Sequence, residues 1–333
     1  MIKIYNFQVG QADCILVHFE ENIDEIEPND DVETEKRYFN LLIDGAYKKD
    51  KIHKKLCDEL DKEPIQGIVV THVDEDHISG IIGLVEKKKK MIENAFLLFN
   101  KYDESLISYD QAKKLEQQFQ TKFRSNIQVK SYEMEYSQDL MSQINTDSRY
   151  IPIEIRSLEQ RSLAEEISQE VINITILGPT QDNIKKFMQN WHNDNKNAEI
   201  TNRASIMLLI EYEGKAIILS GDGYYTDIEC ALSEIKDLNK INVMKAAHHG
   251  ASANNDILAE LVEKYDCEHI FFTIDKEKYN GKKEHPNPKL LEELKKIADE
   301  RDDSKEALVL SCNSDIKGSE LENYLIEKTE INI

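Results

Sequence analysis

Residues 71–77 read THVDEDH, and four of these seven side chains are potential metal ligands: His72, Asp74, Asp76 and His77. A tight loop can turn all four towards one cavity, and two cations are needed to neutralise them. Imidazole suits Zn²⁺ and other late metals, whereas carboxylates suit harder ions such as Mn²⁺ or Mg²⁺. The stretch therefore predicts a metal centre. An acidic surface loop with two incidental histidines is the alternative.

The residues on either side argue against that alternative. Residues 68–71 read IVVT, the pattern of a buried strand, and residues 78–90 have the apolar spacing of a helix. A strand, a ligand-rich loop and a helix in this order are the usual setting of a site in α/β proteins. An incidental surface loop explains neither the strand nor the helix.

Two other predicted strands end on candidate ligands. Asp222 follows the strand at 215–219 and lies between glycines, so we expect its carboxylate to bridge both metal ions; a turn aspartate is the alternative. His248 and His249 close a strand predicted at 242–247. Adjacent strand residues face opposite ways. We therefore expect one histidine to bind metal and the other to face substrate or an outer layer of the site. The alternative is one buried and one exposed histidine without a role.

Three residues are weaker candidates. Asp44 ends the strand at 39–43 and could orient a ligand histidine through its ring N–H, as could Asp13 in the turn at 10–13. For both, an ordinary turn aspartate is the alternative. His285, followed by Pro286, could protonate a leaving group. The sequence contains neither a G-x-S-x-G elbow nor a phosphate-binding P-loop, so the metal centre is the chemistry it offers.

The composition of the chain limits the classes of protein to which it can belong. The chain has 333 residues, of which 40% are apolar, and we expect one domain spanning 1–333. No uninterrupted apolar stretch of about 18 residues and no signal-peptide pattern occur, and the five cysteines are scattered. We therefore expect a cytoplasmic protein without membrane contact. The net charge of −22 disfavours a broad surface for polyanions, although bound cations can reverse the sign locally.

Residues 100–170 differ from the rest of the chain. They are polar, rich in Gln, Glu, Lys and Ser, and carry helical patches. We expect a mostly helical surface insertion with weaker order around 137–168, which gates substrate or binds a protein partner.

The heptapeptide at 71–77 resembles the H-x-[HD]-x-D-H signature of the metallo-β-lactamase fold. The form with aspartate in the middle resembles the hydrolase domain of ComEC-type competence proteins and their stand-alone relatives. The other resembling elements are VGQAD at 9–13, LIDG at 42–45, NRAS at 202–205, LSGD at 219–222, KAAHHGAS at 245–252, and residues 279–286, which resemble a lengthened Y-G-H-P loop.

The resemblance implies an αββα sandwich with two divalent metal ions, Zn or Mn, at one edge of the sheets. It implies a phosphodiesterase or nuclease-like hydrolase that uses a metal-bridged hydroxide, with Asp76 and His285 as candidate catalytic residues. It also places Asn202 and Ser205 in the outer layer of the site. The chain departs from the family in two ways: the membrane channel of ComEC proteins has no counterpart, and the histidine of the family's third motif has no good candidate. One metal site should therefore be richer in oxygen ligands.

Two other functions remain open at this stage. A small nucleotide, lactone or thioester is an alternative substrate, which the acidic surface mildly favours. A role as effector or scaffold subunit in a larger assembly, such as a defence system, is the second. Neither the substrate nor the oligomeric state follows from the sequence.

Overall fold

A computed structural model describes residues 1–22, 36–60, 63–100, 114, 127–130, 133–135, 142, 144–164, 166–192, 197–277, 285–301 and 306–333. Its strands fall into two sheets. The N-terminal sheet contains β1 (Ile2–Asn6), β2 (Ile15–Asn22), β3 (Lys36–Ile43), β4 (Gly67–Val70), β5 (Phe96–Asn100), β6 (Ile127–Lys130), β7 (Glu133–Glu135) and, from the other end of the chain, β16 (Glu330–Asn332). The C-terminal sheet contains β8 (Ile153–Ser157), β9 (Ile172–Gly178), β10 (Met207–Tyr212), β11 (Lys215–Leu219), β12 (Val243–Lys245), β13 (His269–Phe272), β14 (Val309–Cys312) and β15 (Ile326–Glu327).

Each sheet mixes parallel and antiparallel pairs. The N-terminal sheet has the order β16-β1-β2-β3-β4-β5-β6-β7, and its pairs from β3 to β6 are parallel. The C-terminal sheet has the order β15-β14-β13-β12-β11-β10-β9-β8, and its pairs from β11 to β15 are parallel. Parallel strands bring their carboxyl ends to one edge of a sheet, so the loops that follow β4, β11 and β12 can meet.

Helices cover the outer faces of both sheets. They are α1 (Ile52–Leu60), α2 (Glu75–Lys87), α3 (Leu158–Ser162), α4 (Gln181–His192), α5 (Ala198–Arg203), α6 (Tyr225–Leu232), α7 (Leu258–Lys264) and α8 (Pro288–Glu300). None of the helices in the described residues is long and apolar enough to cross a bilayer.

Three apolar layers hold the four structural layers together. The central layer packs residues such as Val17 and Leu41 of the N-terminal sheet with Leu208 and Ile217 of the C-terminal sheet. The opposite faces of the sheets pack against α1 and α2 on one side and against α6, α7 and α8 on the other. Because both faces of each sheet are covered, the buried strands read as continuous apolar runs. The predicted αββα sandwich is confirmed.

Part of the region 100–170 belongs to this sandwich. β6 and β7 extend the N-terminal sheet, and β8 is the last strand of the C-terminal sheet. Ile144, Ile151 and Ile153 are buried in the central layer. The expectation of a helical, weakly ordered surface insertion is therefore corrected for 144–157, because its few apolar residues fill space between the sheets. Most of the predicted helical stretch, at 101–113, 115–126 and 136–141, lies outside the described residues.

Close packing fixes α2 against the loop after β3. A side chain at Gly80 would overlap the backbone of Gly45, and one at Gly45 would meet the backbone of Gly80 and Ile81. Glu75 and Asp76 lie in the first turn of α2 and Lys87 in its last, which complements the helix dipole. The start of α2 is thereby held beside Asp44.

His269 gives the sandwich a predictable response to acid. Its ring is buried in β13, with Nε2 2.6 Å from Ser311 Oγ in β14, and burial lowers the pKa of His269 to about 3. An unfolded histidine has a pKa of about 6.5. Above that pH His269 is neutral in both the native and the unfolded protein. Below it the unfolded chain takes up a proton that the native ring refuses, so stability falls by about 2 kcal/mol at pH 5.

Replacement by glutamine tests this expectation. Glutamine can still reach Ser311 but does not titrate. Urea unfolding at pH 7 and pH 5 should show a smaller acid loss in His269→Gln than in the wild type, both measured with a chelator present. Equal losses in the two proteins would show that His269 does not contribute.

Candidate metal centre

The candidate ligands lie on the loops, and in one case the first turn of a helix, that follow three parallel strands. His72, Asp74, Asp76 and His77 follow β4, Asp222 follows β11, and His248 and His249 follow β12. The loops of the two sheets meet because Gly221 packs against the side chain of Thr71. Residues far apart in sequence are thus brought to one edge of the sandwich.

Asp222 lies at the centre of the cluster. Its Oδ2 is 3.5 Å from Nε2 of His77, 3.7 Å from Nε2 of His248 and 3.9 Å from Nε2 of His72. These distances are too long for hydrogen bonds and leave room between the atoms. Three imidazole nitrogens and one carboxylate oxygen therefore face a common space.

Two other carboxylates border this space. Asp74 Oδ2 is 3.6 Å from His72 Nε2, and Asp76 Oδ2 is 3.8 Å from His249 Nε2. Asp74 is at the N-cap position of α2, yet its side chain makes no capping hydrogen bond and so remains available to the cluster. Each of these two carboxylates is thus paired with a different histidine of the cluster.

Three groups of side chains in the described residues are close enough to hold a cation. They are His72, His77 and Asp222; Asp76, His77 and His249; and Asp13, Asp44 and His77, with the candidate ligand atoms of each group within 4.8 Å of one another. The clustered histidines and aspartates can therefore bind metal.

Outer hydrogen bonds fix which nitrogen of each ring faces the cluster. His77 Nδ1 lies 2.7 Å from Asp44 Oδ2, and His249 Nδ1 lies 2.8 Å from the carbonyl oxygen of Thr273. Those oxygens only accept, so each Nδ1 carries a proton, and in the neutral ring each Nε2 keeps its lone pair. The lone pairs of both Nε2 atoms point into the cluster.

The other two rings are held in the same way. Thr71 donates its hydroxyl to Asp44 Oδ2 at 2.6 Å, so its oxygen accepts from His72 Nδ1 at 3.1 Å. Asn254 donates its amide to the carbonyls of Asp222 and Gly223, which turns its oxygen towards His248 Nδ1 at 3.3 Å. All four histidines thus turn their Nε2 towards the carboxylates, although His248 Nδ1 also has the amide nitrogen of Asn202 at 3.2 Å.

Several buried ligand atoms of the cluster have no hydrogen-bond partner, and a cation would supply one. Nε2 of His72, Nε2 of His77 and Oδ1 of Asp222 are buried and make no hydrogen bond in the described residues. Buried polar atoms without a partner are costly and rare. Because all three are good metal ligands, divalent ions would satisfy them together.

The charged groups of the cluster shift one another's pKa values. Burial works against the charged form of His77, but the carboxylates of Asp222 and Asp44 overcome it and raise the pKa of His77 well above its usual value. Burial likewise opposes ionisation of Asp222, but His77 and its neighbours hold the pKa of Asp222 well below the usual range. The cluster therefore favours charged carboxylates and a protonated His77, and a bound cation would take the place of the proton on His77 Nε2.

His248 and His249 differ from the expectation in their backbone. β12 ends at Lys245, and both histidines adopt left-handed conformations with φ of 45° and 56°. The alternation of a strand does not apply to them, and both Nε2 atoms face the carboxylates. Non-glycine residues rarely adopt this conformation, and such strain is concentrated at functional sites.

The four residues predicted for the outer layer of the site differ in whether they contact a candidate ligand. Asp44 holds His77, and Asp13 accepts from Thr273, which contacts His249. Asn202 lies with its amide 3.2 Å from His248 Nδ1. The side chain of Ser205 is buried next to this region but hydrogen-bonds to no described residue.

His285 borders the open side of the cluster. Its ring centroid is 5.2 Å from that of His248, and Gly250 allows close approach of the neighbouring Pro286. Residues 278–284, which contain the start of the predicted Y-G-H-P loop, lie outside the described residues.

Four residues of the site were not predicted as functional. Thr71, Thr273 and Asn254 orient histidines, and Lys245 forms an ion pair with Asp13 at 2.8 Å. Lys245 stands in the KAAHHGAS element and Thr71 at a predicted strand end, so the sequence contained grounds for identifying both as site residues. Threonine and asparagine contacts across loops leave no pattern in a single sequence.

Comparison with solved structures finds similarity to human tRNase Z, short form. The alignment covers 86% of this chain and 97% of that one, at 10% sequence identity and a TM-score of 0.36. No protein-family model and no curated protein matches the chain. At this level of similarity the chemistry has to be argued from the site residues alone.

Proposed function

We propose that the protein is a hydrolase of phosphodiesters that works with two divalent metal ions. The observation that carries the proposal is the convergence of four imidazole Nε2 atoms on three carboxylates, with an oxygen atom within 3.3 Å of the outer nitrogen of each ring. Outer hydrogen bonds of this kind are typical of histidines that bind metal. The resemblance of the sequence to metallo-β-lactamase-fold hydrolases supplies the substrate class.

Asp76, His77 and His249, whose ligand atoms lie within 4.8 Å of one another, would hold one ion. His72, Asp74 and His248 would hold the other, since Asp74 lies beside His72, and His72 and His248 both face Asp222, which would be shared between the ions. His248 then takes the place of the histidine for which the sequence offers no candidate. Each ion would have four protein ligands of mixed nitrogen and oxygen character, a set that suits both Zn²⁺ and Mn²⁺.

The chain leaves one side of the centre open to substrate. The side chains of Asp74, His248 and Asp76 are 43%, 30% and 24% exposed, whereas those of His72 and His77 are buried. A phosphodiester approaching from that side meets Asp74 and His248 first and has His285 beside it. The exposed side chains therefore define the expected binding face.

Hydrolysis can be assigned to these side chains. When bound, the two ions would activate a water molecule and offset the negative charge of the phosphoryl oxygens. Asp76 accepts the proton that the attacking water loses as its oxygen bonds to phosphorus. His285 donates a proton to the leaving oxygen as the second phosphorus–oxygen bond breaks. Asp222 holds the two halves of the centre in fixed relation.

One observation favours a second candidate function. The net charge of −22 opposes the approach of a long polyanion, which favours a small nucleotide or thioester as substrate.

A substrate screen separates these candidates. The purified protein, loaded with Mn²⁺ or Zn²⁺, is incubated with single-stranded DNA, RNA, bis(4-nitrophenyl) phosphate, a cyclic dinucleotide and a thioester. Metal-dependent cleavage of phosphodiesters supports the proposal. Turnover of the thioester alone, or no turnover of any substrate by metal-loaded protein, would contradict it.

A further inference from the structure

Lys245 places a buried positive charge directly behind the metal centre. It is the last residue of β12 and is fully buried, and its Nζ lies 2.8 Å from Asp13 Oδ2. The ammonium also donates to the carbonyl oxygens of Gly221 at 3.0 Å and Ala246 at 3.2 Å. A buried ammonium is costly unless it is paired and hydrogen-bonded, and Lys245 meets both conditions.

Its partner Asp13 faces the outer side of two candidate ligands. Asp13 Oδ1 accepts from Thr273 Oγ1 at 2.7 Å and lies 3.7 Å from His249 Nδ1. Asp13 Oδ2 lies 3.9 Å from His77 Nδ1. Neither ring is hydrogen-bonded to Asp13, so its carboxylate acts on His249 through Thr273 and on both rings through its charge.

The charges of the site balance only when Lys245 is included. Five carboxylates belong to the cluster: Asp13, Asp44, Asp74, Asp76 and Asp222. Two divalent ions supply four positive charges, the histidines bind as neutral rings, and Lys245 supplies the fifth. Without its ammonium, Asp13 would be left as a buried carboxylate with no counter-charge.

An uncompensated Asp13 would compete for the ion. Asp13, Asp44 and His77 already lie close enough together to hold a cation on the outer side of the His77 ring. Lys245 occupies one oxygen of that group. Its removal would let a cation or a proton settle there and would turn His77 away from Asp76 and His249.

We propose that Lys245 is a positioning residue of the metal centre, whose ammonium neutralises Asp13 so that Asp13 and Thr273 hold His249, and with it His77, in place for one of the two ions. This inference rests on the proposed two-metal function. It assigns Lys245 to one ion, so the two ions should respond differently to its loss.

Binding of Mn²⁺ alone tests the assignment. Equilibrium dialysis with metal analysis is applied to the wild type, Lys245→Met, Asp13→Asn and the double variant. Lys240→Met is the matched control, because Lys240 is half-exposed and pairs with Glu268 away from the centre. We expect two ions in the wild type and the control. In Lys245→Met one ion should stay and the other should bind at least about tenfold more weakly, as for other losses in the outer layer of a metal site.

The double variant separates positioning from packing. An amide side chain at position 13 needs no counter-charge and can still accept from Thr273. Adding Asp13→Asn to Lys245→Met should therefore restore binding of the second ion to within a few-fold of the wild type. Both ions bound with wild-type affinity in Lys245→Met, or a double variant no better than that single variant, would overturn the role of Lys245.

Failure to fold also decides the question. If Lys245→Met is unfolded, a folded double variant that binds two ions supports the proposal. An unfolded double variant beside a folded Asp13→Asn would show that Lys245 serves packing beneath Gly221 and would overturn it. If the wild type binds no Mn²⁺, the same series is measured with Zn²⁺, and absence of both ions from the wild type would overturn the proposed function itself and the role of Lys245 with it.

Discussion

Asp222→Asn should lower metal-dependent hydrolysis by at least about 100-fold, since even outer partners of a metal ligand cost about 10–100-fold when they are removed. Asp222 Oδ2 faces the Nε2 atoms of three histidines, so its carboxylate would contact both ions. An amide has no charge to balance them. Occupancy of both ions should fall together, and so should the rise in melting temperature on adding Mn²⁺.

The fold should survive this substitution. Asp222 Oδ1 makes no hydrogen bond in the described residues, and the backbone carbonyl of Asp222 that accepts from Asn254 is unchanged. Asp256→Asn, at an exposed position, is the control and should behave as the wild type. Activity and metal content of Asp222→Asn within a few-fold of the wild type would remove Asp222 from the centre.

Alanine at His248 or at His249 should each cost one metal ion and nearly all activity. The Nε2 of His248 lies 3.7 Å from Asp222 Oδ2 and that of His249 lies 3.8 Å from Asp76 Oδ2, so each ring would bind its own ion. Metal content measured after dialysis should fall from two ions per chain towards one in each variant. Retention of both ions in either variant would show that its histidine faces substrate instead.

The two alanine variants should differ in their response to added imidazole. His248 is 30% exposed and leaves a cavity open to solvent, whereas the His249 side chain is 2% exposed and leaves a closed one. Imidazole should therefore restore metal binding and part of the activity in His248→Ala and have little effect in His249→Ala. The same response in both variants would contradict the placement of the two rings.

The buried strands and the main candidate ligands could be predicted from the sequence for a physical reason. Strands covered on both faces read as continuous apolar runs, and Asp44, His72 and Asp222 stand within three residues of the ends of such runs. Carboxyl ends of parallel strands meet at one edge, so the association of these residues could be predicted from the sequence. The αββα arrangement itself came from the resemblance of the motifs.

The details of the His248–His249 pair could not be predicted in this way. The strand ends three residues before His248, and the left-handed backbone of both histidines depends on packing of Gly250 against Pro286 and on Asn254 and Asn255. These are long-range contacts without a local pattern. Consequently the expected opposition of the two rings does not hold, although both residues were identified as candidates.

The region 100–170 shows a second reason why the sequence did not predict the whole structure. Its polar composition predicted an exposed insertion, yet residues 144–157 supply strand β8 and several buried isoleucines. A few apolar residues spaced two apart, Ile151, Ile153 and Ile155, are enough to define an edge strand when a neighbouring sheet offers a partner. Average composition conceals so short a signal.

Metal content tests the two-metal centre most directly. The protein is stripped with a chelator, reconstituted with excess Mn²⁺ or Zn²⁺, freed of loosely held ions and measured by plasma mass spectrometry beside Asp222→Asn. The arrangement of His72, Asp74, Asp76, His77, Asp222, His248 and His249 predicts two ions per chain in the wild type and fewer in the variant. Wild-type protein that remains folded and holds close to no metal under either condition would contradict it.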